Sequence, residues 1–150
     1  MQAEADELVG SGHARSAARL GKVVDKAVGE VDLTLPQYRM LAYLAEGTSA
    51  ASVLAGNLAV SKPSLTALAD GLVARGFVER RPAAGDRRRV DHVLTATGEA
   101  ALAAADAAAQ DRLDGLLAHL PRAARRRAVD GLALWLTALD AARSERLAPR

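Results

Sequence analysis

The stretch AAGDRRRVDHVLT, Ala83 to Thr95, places Arg87, Arg88 and Arg89 directly after a Gly-Asp turn and ahead of the alternating Val90, His92 and Leu94. A guanidinium is a permanent cation whose planar fork of donors matches phosphate oxygens. Three of them at a turn offer binding chemistry, not bond-making chemistry. Residues that make and break bonds are thinly spread elsewhere. His13, His92 and His119 lack the spacing of metal ligands, and no helical segment carries a histidine pair at i, i+4, so no metal is expected. No nucleophile motif, phosphate-cradling glycine loop or paired-carboxylate constellation stands out, so neither an enzyme nor a cofactor is expected. Cysteine is absent, which excludes disulfides, thiolate zinc sites and thiol redox sensing by this chain.

The elements around the arginines explain their placement. From residue 3 to about 31, Leu8, Val9, Leu20, Val23, Val24, Ala27, Val28 and Val31 recur at helical spacing, with a bend or fray expected at GSGH. DLTLPQYRMLAYLAEG then predicts a short helix, capped by Thr34, with Pro36 in its first turn and Gly47 as terminator. Two more helices follow, the first capped by Thr48 or Ser49 and carrying Val53, Leu54 and Leu58, the second capped by Ser61. In the second, Leu65, Leu68 and Leu72 form the buried face, Pro63, Thr66, Ala67, Asp70 and Ala74 lie opposite, and Gly76 closes the end. Two short helices with a tight spacer are a helix-turn-helix.

At Phe77 the period switches from helical to alternating: FVERRP and RRRVDHVLT are strands around the turn AAGD. A hairpin directly after a recognition-type helix is the wing of a winged helix. Its arginine tip would lie against the DNA backbone or minor groove, where phosphate potential is concentrated. The plainer reading is a solvated hairpin whose arginines reflect a GC-rich genome.

Thr95 or Thr97 begins an Ala-rich helix to about Leu120, with Leu102, Ala109, Leu113, Leu116 and Leu120 in phase, and Pro121 ends it. A last helix, about 122 to 146, carries Val129, Leu132, Leu136 and Leu139, with Trp135 adjacent. The arginines of PRAARRRA read as its exposed face. The fold class is therefore mainly α with a small β-hairpin wing. Residues 1–150 form one chain unit, in which the winged helix-turn-helix, 33–98, lies between dimerisation helices at 3–31 and 96–147. One small winged domain offers too little surface to cover such long striped helices, so a homodimer is expected, and two-fold symmetry suits a palindromic operator.

Composition agrees. The chain has 150 residues, enough for one core, and is 50% hydrophobic, 25% charged and only 3% aromatic, which speaks against a base-stacking RNA or single-strand binder. The net charge is only +2, so any basic patch must be local. No run approaches the roughly 18 apolar residues of a membrane span, and the early acids of MQAEADELVG do not resemble a secretion signal, so a cytoplasmic protein without membrane contact is expected.

The sequence resembles the MarR family of bacterial transcription regulators over most of its length, from LTLPQYRMLAYL through SKPSLTALADGLVARGFVERR to GDRRRVDHVLTATGEA. The most specific match is the wing pattern D-x-R followed by L-T-x-x-G: Asp86, Arg88, Leu94, Thr95 and Gly98. The resemblance implies a dimer that binds double-stranded DNA, usually as a repressor, released by a small, often phenolic or aromatic effector. It makes Arg88 the wing arginine, Asp86 the partner that steadies its guanidinium, and Arg87 and Arg89 supplementary phosphate contacts. It places Ser61, Lys62, Pro63, Ser64 and Thr66 at the start of the recognition helix, where free N–H groups favour phosphate and hydroxyls reach base edges. Ser49 and Ser52 would touch the backbone from the preceding helix.

The chain departs from that family where relatives carry basic residues inside the recognition helix: it has Ala67 and Gly71, with Lys62 and Arg75 the basic side chains. Asp70 on the exposed face repels phosphate unless an arginine pairs with it, and is assigned a structural role. For the effector, His13 reads as an anion or haem contact or as a surface histidine. Arg39 reads as a donor to an effector's carboxylate, and Tyr38 as a cleft residue or part of its helix's packing face. The competing function is a winged helix that docks an acidic protein through its wing, or a DNA-binding protein insensitive to ligands.

Overall fold

The structure, a computed structural model, describes residues 9–147. Six helices and one hairpin follow in the order α1 (Ser11–Gly29), α2 (Leu35–Ala45), α3 (Ala51–Leu58), α4 (Lys62–Ala74), β1 (Val78–Ala83), β2 (Asp86–Leu94), α5 (Ala96–Leu117) and α6 (Arg122–Leu147). No helix among the described residues is long and apolar enough to cross a membrane.

The first helix begins later than its apolar stripe suggests. GSGH is its start and not a bend within it: extended Gly10 is the N-cap, and the Gly10 N–H donates to His13 Nδ1 at 3.1 Å. A glycine with a local acceptor three residues on is a better boundary than an interior. Residues 3–8 of the expected helix lie outside the described residues. α2 starts as expected, with Thr34 Oγ1 accepting from the Gln37 N–H and Gln37 Oε1 accepting in return from the Thr34 N–H, and it ends at Gly47, whose φ of +88° favours glycine.

α3 is capped by Ala50 with no side-chain bond, in place of Thr48 or Ser49. Ser49 and Ala50 are drawn onto the sheet instead: the Ser49 carbonyl accepts from the His92 N–H at 3.0 Å, and Ala50 bridges Asp91 in antiparallel fashion. In α4, Ser61 caps the first turn, and Leu65, Ala69 and Leu72 are buried, with Leu68 at the margin of the core.

The core lies where α2 crosses the bundle. Val28 of α1, Met40 and Leu41 of α2, Leu54 of α3, Leu72 of α4 and Val78 of β1 are its largest fully buried side chains. Leu102 and Ala105 of α5 close it from the far side, small alanines letting α5 approach α1. Beyond Ala109 the α5 stripe runs off the core: Leu116 and Leu120 are exposed. α5 stops at Leu117, three residues before the expected end. There Arg125 folds back, its Nε donating to the Leu120 carbonyl and its Nη2 to that of Ala118, so one arginine of PRAARRRA caps a helix end.

The joint between wing and α5 is built by L-T-x-x-G. Thr95 Oγ1 donates to the Gly76 carbonyl at 2.6 Å and accepts from the Gly98 N–H, while the Thr95 N–H donates to the Phe77 carbonyl. Gly98 is required here because a Cβ would run into that carbonyl oxygen and the Leu94 side chain. The motif thus ties the end of α4, the root of the wing and the start of α5 into one knot.

Candidate nucleic-acid interface

β1 and β2 pair antiparallel from Val78↔Leu94 to Pro82↔Val90, then jump to Ala83↔Asp86. The jump leaves Arg87, Arg88 and Arg89 without partners on β1. The arginine triplet is therefore a bulge beside the Ala84-Gly85 turn, where Gly85 has a φ of +83°. A bulge at a hairpin tip turns consecutive side chains away from strict up-down alternation. Arg88 and Arg89 are exposed and have no acidic partner among the described residues, while Arg87 is located here by its backbone alone.

The arginines lower in the hairpin differ. Arg80 donates to Asp70 Oδ1 at 2.6 Å, and Arg81 pairs with Glu79. The repulsive carboxylate on α4 is thus matched by an arginine of β1, and that pair fastens the exposed face of α4 to the wing. Free positive charge is left at the tip.

Asp86 holds the turn in another way than the resemblance implies. Its Oδ1 accepts from the backbone N–H of Arg88 at 3.0 Å, and no ion pair with the Arg88 guanidinium forms among the described residues. This is an Asx-type turn, in which a short carboxylate satisfies an N–H two residues on.

At the start of α4 the named hydroxyls are engaged locally. Ser61 Oγ accepts from the Ser64 N–H at 3.2 Å and lies 2.8 Å from Ser64 Oγ, and Thr66 Oγ1 donates to the Lys62 carbonyl. Pro63 has no N–H, so the anion-binding capacity of this helix start rests on few donors. Lys62, Pro63, Ser64 and Thr66 are nevertheless all exposed, as is Ser52 in the first turn of α3, whereas Ser49 is half-buried. Thr66 and Asp70 line a cavity of about 210 Å³ with Arg80 and Val90, so the exposed side of α4 and the wing form one continuous face.

The three residues expected to meet an effector do not converge. His13 closes the start of α1, Arg39 donates to the Asn57 carbonyl at the end of α3, and the Tyr38 hydroxyl donates to Asp106 Oδ1 of α5 at 2.7 Å. Burial, aided by the Asp106 carboxylate, holds the Tyr38 phenol far above its ordinary value. A larger cavity of about 470 Å³ opens between the end of α2, β2 and α5; Leu44, Leu94 and Leu102 line it, with Glu99 and Asp106 as its carboxylates. None of the three lines it, although Tyr38 touches its wall through Asp106.

His92 carried no sign of its role beyond strand alternation. It is 6% exposed, and burial above all, with the Arg80 guanidinium second, holds its imidazole below the ordinary histidine value. Among the described residues no cluster of side chains could hold a metal.

Known proteins place this geometry. A model of the MarR family matches residues 31–89. No curated protein matches the chain with significance. Among solved structures, RV1404 from Mycobacterium tuberculosis superposes with a TM-score of 0.77 at 21% identity, covering 91% of this chain and 95% of its own. Apo MarR from E. coli gives 0.73 at 23%, covering 87% and 98%. The transcriptional repressor CouR, bound to a 23-mer DNA duplex, gives 0.68 at 26%, covering 91% and 99%. Residues 31–89 thus match the MarR family, in a chain whose fold from α1 to α6 is similar to that of solved MarR-family transcription regulators.

Proposed function

We propose that this protein is a homodimeric, sequence-specific double-stranded DNA-binding regulator in the cytoplasm, acting as a repressor that a small effector releases. The observation that carries the reading is the contrast within the wing: Arg80 and Arg81 are neutralised by acids, whereas Arg88 and Arg89 at the bulge have no acidic partner among the described residues. Unpaired, exposed guanidinium groups beside a recognition helix suit phosphate, which matches their fork and gains from counterion release. Arg87 joins them by position. Lys62, Pro63, Ser64, Thr66, Ser61, Ser49 ahead of α3 and Ser52 in its first turn set the register on the backbone, with Asp86 shaping the tip. Sparse base-reading side chains on α4 assign much of the sequence preference to DNA shape.

Dimerisation rests on α6, where Val129, Leu132, Trp135, Leu136 and Leu139 are each between 46% and 63% exposed in the single chain. An apolar stripe of that size on a long helix needs a partner, and a second copy supplies a matching one. DNA-bound CouR is a repressor of the same fold, which supports the sign of regulation proposed here. The effector is a small, aromatic or phenolic molecule seated by α2 and α5, where the 470 Å³ cavity provides room and Tyr38 and Arg39 lie on the adjoining helix. His13 belongs to this reading only through α1, which packs on α5.

The test is equilibrium binding to duplex DNA from the gene's own upstream region and to a scrambled duplex, at several salt concentrations. The expected result is preference for the former, with log affinity falling by about 0.9 per phosphate contact as log salt rises. Equal, weak binding to both duplexes, together with capture of an acidic protein partner by the wing, would transfer the wing to protein docking.

A further inference from the structure

His92 stands at a joint of four elements. Its N–H donates to the Ser49 carbonyl ahead of α3, and it faces Arg80 of β1 across the ladder. It also lines both cavities: the larger one under α5 and the smaller one between α4 and the wing. It is the one buried polar side chain among the described residues, and its Nδ1 has no hydrogen-bond partner. The root of the wing is therefore seated on an imidazole that has free space on two sides.

A neutral imidazole can leave one ring nitrogen as an unused acceptor. An imidazolium carries N–H groups on both nitrogens and needs an acceptor for each. Here the buried Nδ1 has none to offer its proton to. The Ser49 backbone and the Asp91 carboxylate favour the cation, but burial first and then Arg80 of β1 outweigh them; Asp70 of α4 is committed to Arg80, and Asp106 of α5 already accepts from Tyr38. Glu99 of α5 lies across the cavity, and Asp91 is the neighbour on β2, whose side chain alternates to the other face. From α2, α3 and the loop between them come Leu44, Ala45, Gly47, Ser49 and Ala51, all uncharged.

We infer that His92 is an acid-sensitive seat for the wing, which docks β2 against α2 and α3 while neutral and releases it when protonated. The cavities on either side let the ring leave without displacing core side chains, and the released hairpin carries the bulge arginines away from the face of α4. His92 is a positioning residue, acting on DNA through Arg88 and Arg89, and its link to regulation rests on the DNA-binding reading above.

The sign follows from linkage. Because the fold favours the neutral ring, the contribution of the seated ring is complete above the ordinary histidine value of about 6.5 and is lost as pH falls through the depressed folded value. Proton NMR titration of the full chain reads this directly, with the His92 imidazole signal identified by its loss in His92→Val. A midpoint below about 6.5 is expected, and a midpoint at or above it overturns the proposal. Binding of the upstream duplex at about pH 7.5 and about pH 5.5 should then show the wild type losing several-fold more affinity than His92→Val, up to about tenfold for each of the two wings. Parallel losses overturn the coupling to DNA. Should neither protein prefer that duplex at the higher pH, it is the DNA reading that fails. The seat is then still decided by urea unfolding of both proteins, or of His92→Gln if the valine variant does not fold. The wild-type folding constant should drop up to about tenfold relative to the variant over the same range, and equal pH profiles overturn it.

Discussion

Replacing Arg88 and Arg89 together by alanine isolates the role of the wing tip. Both side chains are exposed and without an acidic partner among the described residues, and the bond that shapes the turn runs from the Arg88 backbone N–H to Asp86 Oδ1, so truncating the side chains keeps the bulge. Surface truncations of this kind change stability by no more than about 0.5 kcal/mol. Two side chains in each of two wings amount to about four phosphate contacts, so the slope of log affinity against log salt should become shallower by about 3.6. Between about 50 and about 200 mM salt, a factor of about four, the wild type should therefore lose about 150-fold more affinity than the variant. Fluorescence anisotropy with a labelled duplex measures the slope, and circular dichroism melting checks the fold. An unchanged slope in a variant with wild-type melting would refute the assignment of phosphate contacts to the wing. A slope that changes only together with a large drop in melting temperature would refute the claim that the turn is held through the backbone.

Other perturbations test the frame. Gly98→Ala should cost about 1 to 3 kcal/mol, because the new methyl meets the Phe77 carbonyl and Leu94, and should lower the melting temperature by several degrees; an unchanged melting curve would contradict the knot at the root of the wing. Tyr38→Phe removes the bond to Asp106 and should cost about 1 kcal/mol in urea unfolding. Because the folded phenol sits above its ordinary value, its stabilisation holds below about pH 10 and is lost as pH rises past it, and ultraviolet titration should show one tyrosine ionising late in the wild type and not in the variant. Leu132→Glu with Leu136→Glu places charges on the α6 stripe and should give a helical monomer in sedimentation equilibrium, a persisting dimer being the contrary result.

Much of the site was legible because it is local. Thr34 and Ser61 cap their helices, Gly47 and Gly76 stop them, and the change to alternation at Phe77 marks the wing, since each depends on the backbone preferences of a few adjacent residues. The α3 cap was missed because Ser49 and Ala50 answer to β2 and not to their own helix. A cap motif cannot show that a strand more than 40 residues on will take its carbonyl. The start of α1 at Gly10 was missed because an apolar stripe does not mark its own end.

The sequence by itself determined the order of helices and hairpin, the arginine tip, and the excess of apolar surface on the last helix. These follow from periodicity, turn chemistry and charge, which act over a few residues. Only the tertiary structure decided which charges stay free. Arg80 and Arg88 are the same residue type on one hairpin, yet Asp70 reaches the first and no carboxylate among the described residues reaches the second. It also turned His92 from one more alternating strand residue into the buried polar group of the joint. Pairing and desolvation depend on what other elements bring within a few ångströms, and that distance is set by packing, not by neighbours in the chain.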